Sequence, residues 1–178
     1  MRTRVLLSSI LLAALALPAA PGASGKAPAA PPPIAWRAWD RGLEEAKASG
    51  RPVLVNVVTD WCGWCRRMKA EVYTKPEIRD YLASHFVVIT LNAEAADPAH
   101  YEGKALTSRS LAARFEVSGY PTTIFLRADG EHLVSVPGYV ESAKFLQILR
   151  YIGDGHMERG VTFKEFSKQT SRARDVRP

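Results

Sequence analysis

Val53-Leu54-Val55-Asn56-Val57-Val58-Thr59-Asp60-Trp61-Cys62-Gly63-Trp64-Cys65 is the stretch that decides how this chain folds. Its first six residues are valine or leucine with one asparagine, a run that suits a short strand buried on both faces of a sheet. Two cysteines follow, three residues apart, and a helical pattern runs on from them to about Val72. At i and i+3 on one helical turn their side chains are neighbours, within the reach a disulfide needs. The first would sit by unpaired backbone N–H groups at the positive end of the helix dipole, which favours thiolate over thiol. A free thiol with a pKa of about 8.5 is only about 3% ionised at pH 7, whereas a pKa near 7 gives about half. Arg66 and Arg67 add positive charge one turn away.

Outward from this stretch the pattern alternates. Upstream, residues 39–49 read as an amphipathic helix stopped by Gly50 and Pro52. Downstream, Pro76 opens a helix over 76–84, and 86–91 is a second buried strand. Residues 92–108 lack periodicity and read as an insertion before a short helix over 109–115. Val117-Ser118-Gly119-Tyr120-Pro121-Thr122 turns into a strand over 123–127. Asp129-Gly130 then marks a hairpin to a strand over 132–136. A helix over 141–152 carries Phe145, Leu146, Ile148, Leu149 and Ile152 as its apolar stripe, and a short helix over 162–168 precedes the tail. The order helix–strand–helix–strand–helix–strand–strand–helix predicts an α/β domain, a mixed sheet with helices on both faces.

The ends explain the charge. The chain has 178 residues and a formal charge of +6, but residues 26–166 hold 18 basic and 17 acidic side chains. Arg2 and Arg4 stand at the front, and Lys168, Arg172, Arg174 and Arg177 oppose Asp175 alone at the back. No basic stripe interleaved with aromatics lies between them, so nucleic acid is not an expected partner. The tail reads as a solvated, frayed end. A basic start, then residues 5–17 broken only by Ser8 and Ser9, then small residues, has the layout of a secretory signal peptide over 1–25. The apolar run is short of the roughly 20 residues that span a bilayer, so no stable membrane insertion is expected after cleavage. A Pro/Ala-rich linker over 26–33, the folded domain over 34–156 and a short helix with a basic tail over 157–178 complete the expected organisation. Export would place the cysteines where disulfides form and persist.

Two cysteines cannot build a disulfide scaffold or a four-thiolate metal site within one chain. A structural disulfide would close a four-residue loop and stabilise little by chain entropy. A metal half-site would need a second chain or histidines, and His85, His100, His132 and His156 are scattered without ligand spacing. Two inert thiols would belong on an apolar face rather than at a helix start. Redox chemistry fits the placement better than any of these, with no metal and no cofactor.

The motif Asp60-Trp61-Cys62-Gly63-Trp64-Cys65 after a buried strand, with Gly119-Tyr120-Pro121-Thr122 opening a later one, resembles the thioredoxin superfamily over about residues 36–152. The insertion, Gly138-Tyr139-Val140 and Tyr151-Ile152-Gly153-Asp154-Gly155-His156 are similar to exported SoxW-type thioredoxins. Exported thiol reductases, including the C-terminal domain of DsbD, share the general pattern. The resemblance implies a thioredoxin-like fold with Cys62 as the exposed nucleophile and Cys65 as the buried resolving thiol. Pro121 matches a proline that is cis in the family, with the backbone of Tyr120 pairing to an extended substrate. Trp61, Gly63, Trp64, Tyr120 and Pro121 form the implied substrate surface, Trp61 packing beneath the motif and Trp64 partly exposed.

One position departs from the pattern. Where many thioredoxins carry a buried Asp this chain has Asn56, and the lysine commonly paired with it falls on Thr90. Asn is no general base near neutral pH, which leaves water, Glu71 or Glu94, or nothing dedicated to serve Cys65. The implied activity is reduction of oxidised exported proteins by a monomer recharged from a membrane electron donor. A disulfide-donating oxidase and a non-catalytic binding module are the alternatives.

Overall fold

The computed structural model describes residues 33–175, with side chains through Arg172. The expected signal peptide and all of the linker except Pro33 lie outside the described residues. Six helices and six strands follow in chain order. They are α1 (Trp39–Ser49), β1 (Val53–Val58), α2 (Gly63–Glu71), α3 (Pro76–His85), β2 (Val87–Asn92) and β3 (Pro98–Tyr101). After them come β4 (Lys104–Thr107), α4 (Ser108–Arg114), β5 (Thr122–Leu126), β6 (His132–Pro137), α5 (Ser142–Gly153) and α6 (Phe163–Asp175).

The main sheet runs β2-β1-β5-β6. Strand β1 is parallel to β2 and antiparallel to β5, which pairs antiparallel with β6. The mixed sheet flanked by helices is therefore observed. Both central strands are largely apolar because helices cover both faces, with Asn56 in β1 and Thr122 and Thr123 in β5 as the polar positions. Val53, Val55 and Val57 of β1 pack with Ile124 and Leu126 against the α1 and α4 side, where Trp39, Ala46 and Leu111 complete one core. Leu54 and Phe125 point to the opposite face, into a second core with Met68, Ile78, Leu82, Phe145 and Leu149 of α2, α3 and α5.

Three features differ from the sequence expectation. Residues 92–108 are not featureless: β3 and β4 form a two-stranded antiparallel hairpin, turned at Glu102 and Gly103, both at positive φ. Ahead of α1, Arg37 bridges in parallel to Ile89, adding a short segment at the β2 edge. The tail does not fray after 168: α6 continues to Asp175 and buries Phe166 against the domain, with its ring beside Tyr151 and His156.

Candidate active site

The buried strand β1 ends at Val58, and four residues later Cys62 caps the N-terminus of α2. Its φ of −67° and ψ of 103° are extended, so the chain enters the helix with the sulfur turned back over the first turn. The Cys65 backbone N–H donates to Cys62 Sγ at 3.0 Å. Cys62 and Cys65 are joined by a disulfide, with Cα atoms 5.3 Å apart. The same N–H that meets the bonded sulfur would meet a thiolate there, in a shorter, charge-assisted contact. Arg66 folds back over this turn, its Nη1 donating to the Asp60 carbonyl at 3.2 Å. Arg67 instead turns to Glu71 and the Trp64 ring.

Both cysteines are buried in this disulfide-bonded form, Cys62 at 3% exposure and Cys65 at 9%. The expectation of an exposed Cys62 is corrected: its sulfur is turned inward to meet Cys65 and the helix N-terminus.

Trp61 also departs from its expected place. It is 63% exposed rather than packed beneath the motif. Its indole Nε1 donates to Glu94 Oε1 at 2.9 Å, and its ring stands edge-on to Tyr120 with centroids 5.9 Å apart. Trp64 is 54% exposed, beside Tyr139 at 5.5 Å, with the Arg67 guanidinium over both rings. Glu71 ties this group together, accepting from Tyr139 Oη at 2.7 Å and from Arg67 Nε at 3.0 Å. The Tyr139 hydroxyl and then Arg67 hold the Glu71 carboxyl below its ordinary range. Gly63 lies between the two aromatic arms, where only Arg66 comes near an added Cβ.

The loop before β5 completes the site. The Tyr120–Pro121 peptide is cis, and Pro121 is buried. Its carbonyl accepts from Gly138 N–H at 2.7 Å, and Thr122 Oγ1 donates to the Gly119 carbonyl. The Trp61–Tyr120 contact puts this loop beside the cysteine turn. The structure thus brings together Cys62, Cys65, Trp61 and Tyr120, and sets Trp64 and Gly63 on the same turn. Sequence reasoning did not place Glu94, Arg67 and Tyr139 as supports of the tryptophans, because Trp61–Glu94 and Glu71–Tyr139 span 33 and 68 residues.

Beneath α2, Asn56 pairs with Thr90 on one side and Thr123 on the other. The buried Asn56 Oδ1, Thr123 Oγ1 and Tyr73 Oη have no hydrogen-bond partner among the described residues. Glu71 and Glu94 are engaged by Arg67, Tyr139 and Trp61, on the exposed rim. Among the described residues no cluster of three or more metal-binding side chains occurs, and no helix is long and apolar enough to cross a membrane.

Residues 39–153 match the thioredoxin-like domain. The chain belongs to the thioredoxin-like family. Thiol:disulfide interchange protein DsbD of Ralstonia nicotianae is 35% identical to this thioredoxin-like chain over 113 residues, 62% of this chain and 17% of that protein. Disulfide bond reductase DsbH of Chlamydia pneumoniae is 25% identical over 125 residues, 66% of this chain and 75% of the relative. Among solved structures, a thioredoxin from Thermus thermophilus has a TM-score of 0.55 at 29% identity, covering 70% of this chain and 95% of that one. A DsbH oxidoreductase, at 20% identity, shares the fold with a TM-score of 0.57 over 74% of this chain and 92% of that one. The chain spans less than a fifth of the length of the DsbD relatives it matches. These homologues are thiol–disulfide interchange proteins and reductases, and the thioredoxin-like match over residues 39–153 includes the cysteine pair.

Proposed function

We propose that this chain is an exported thiol–disulfide oxidoreductase that reduces protein disulfides through the Cys62–Cys65 couple. The observation that carries the reading is the cysteine pair at the start of α2, with Cys62 as N-cap and the Cys65 N–H directed at its sulfur. In the reduced protein the Cys62 thiolate attacks one sulfur of a substrate disulfide and displaces the other as a thiolate, forming a mixed disulfide. The Cys65 thiolate then attacks Cys62 Sγ, releases the second substrate sulfur and leaves the Cys62–Cys65 bond. Two electrons pass from the pair to the substrate, whose two thiolates take up protons. The disulfide-bonded form is the product of that turnover, and a dithiol donor at the membrane reduces it back to the dithiol, itself becoming a disulfide.

Trp61, Gly63, Trp64, Tyr120 and Pro121 serve as the substrate surface in this reading. Two exposed indoles on either side of Gly63 offer apolar contact to a chain whose disulfide reaches the turn. Export rests on the N-terminal sequence, and the SoxW-type assignment on Gly138-Tyr139-Val140 and the residues after α5. Oxidised exported proteins are the substrates, and the protein works as a monomer.

The experiment is the potential of the Cys62–Cys65 couple in a thiol buffer, with insulin disulfide reduction as the activity. A reductase is expected nearer about −270 mV than about −120 mV, and Cys62→Ser should abolish turnover. A potential near the upper figure reverses the direction to disulfide donation. Biological function unchanged in Cys62→Ser would leave only a binding module.

A further inference from the structure

Four cations gather on the side of the molecule formed by α5 and α6. Lys164, Lys168 and Arg172 follow at i, i+4 and i+8 on one face of α6, about 12 Å along its axis. Lys144 of α5 faces them, its Nζ 4.2 Å from the centre of the Phe163 ring. These residues, with Phe163, Ser167 and Ser171, line an open groove of about 640 Å³, and among the described residues no acidic side chain lines it. Among the described residues none of the four cations enters an ion pair. Lys168 lies near Glu165, whose carboxylate is taken up by the Thr162 hydroxyl and N–H.

We propose that this groove binds the phosphate headgroups of an anionic phospholipid bilayer and holds the protein at the membrane surface. The chemistry favours a lipid surface over an acidic protein. Phe163, half-buried among the cations, gives the groove an apolar patch level with its charges, as on helices that lie in a bilayer interface. The groove is open along α6, and a headgroup layer supplies phosphates anywhere along it without a matched pattern of carboxylates. The sequence continues with Arg174 and Arg177 against Asp175. Clusters of about four to eight Lys or Arg beside an apolar face are the pattern of anionic-lipid attachment. The site stands apart from the cysteine pair and does not depend on its direction of electron flow.

The test is flotation of the full-length protein with two kinds of vesicle, phosphatidylcholine alone and phosphatidylcholine with about one-third phosphatidylglycerol. The apolar residues 5–17 contribute alike to every arm, so the readout is the difference between arms. The protein is expected to float with the anionic vesicles at low salt and to be released at about 1 M salt, where the screening length falls to about 3 Å. Combining Lys164→Gln, Lys168→Gln and Arg172→Gln is expected to weaken that binding by about tenfold or more, with insulin reduction unchanged. If the combined variant loses helicity by circular dichroism, Lys164→Gln alone decides, with a loss of about fivefold. Equal flotation with both vesicles, or anionic binding unaltered by the substitutions, overturns the assignment. Retention on immobilised polyglutamate without preference between vesicles also overturns it, in favour of an acidic protein partner.

Discussion

The resemblance aligns Asn56 with a buried Asp of many thioredoxins, and among the described residues its surroundings offer no substitute base. It shares a sheet face with Leu54, whose core neighbour Met68 lies one turn along α2 from Cys65. Its cross-strand partner Thr123 carries a hydroxyl that ionises far above neutral pH. Burial pushes the Tyr73 phenol well above its ordinary value. Amide, hydroxyl and phenol are all poor proton acceptors near neutral pH. In the proposed cycle Cys65 would lose its proton without a dedicated base, and resolution of the mixed disulfide is expected to be slow. An Asp at this position would be desolvated, its pKa raised toward neutral, which suits a general base. Asn56→Asp is expected to speed resolution by about tenfold or more, read by stopped-flow fluorescence. An unchanged resolution rate would count against the idea, whatever the variant does to stability.

At the scale of elements, α1 meets the sheet through a glycine. A Cβ on Gly42 would lie 2.3 Å from Ile89 Cγ1 and 2.5 Å from its Cδ1. Alanine would gain about 1 kcal/mol of helix propensity, whereas overpacking costs about 1–3 kcal/mol. A contact this short lies at the upper end of that cost, so Gly42→Ala is expected to destabilise by about 1–2 kcal/mol in urea unfolding. In an Ile89→Ala background the same change should become neutral or favourable. Gly42→Ala stabilising the parent protein would show that α1 can move away from β2 freely. The sequence made the larger elements legible for a physical reason: β1, β2 and β5 bury both faces, and α1 and α5 have long apolar stripes. Strands β3 and β4 were not legible, because four half-exposed residues carry too little of a two-residue period to register. The cysteine turn and the Tyr120-Pro121 loop were legible as local motifs. The exposure of Trp61 was not, because it is set by Glu94 and Tyr120, partners far away in the chain.

At the scale of the whole molecule, two cores of unequal extent share one sheet, and α6 is attached to the outside of one of them. The 13 residues of α6 would be marginal as an isolated helix, so tertiary docking must hold it. That docking centres on Phe166, 4% exposed, whose ring meets Tyr151, His156 and Phe163. Tyr151 adds a hydrogen bond from its hydroxyl to the Val161 carbonyl, and Gln147 donates to Thr170. None of these contacts reaches β1 or α2, so α6 should open without disturbing the cysteine turn. Truncating a buried Phe to Ala costs about 3–5 kcal/mol in a well-packed core, more than so short a helix can recover from its few remaining contacts. Phe166→Ala is therefore expected to bring α6 amides to near-unprotected hydrogen exchange. Amides of β1, β2 and β5, and the potential of the Cys62–Cys65 couple, should stay as in the parent. If exchange in the sheet rises together with that in α6, the helix and the redox core unfold as one unit, and the separation argued from their contacts fails.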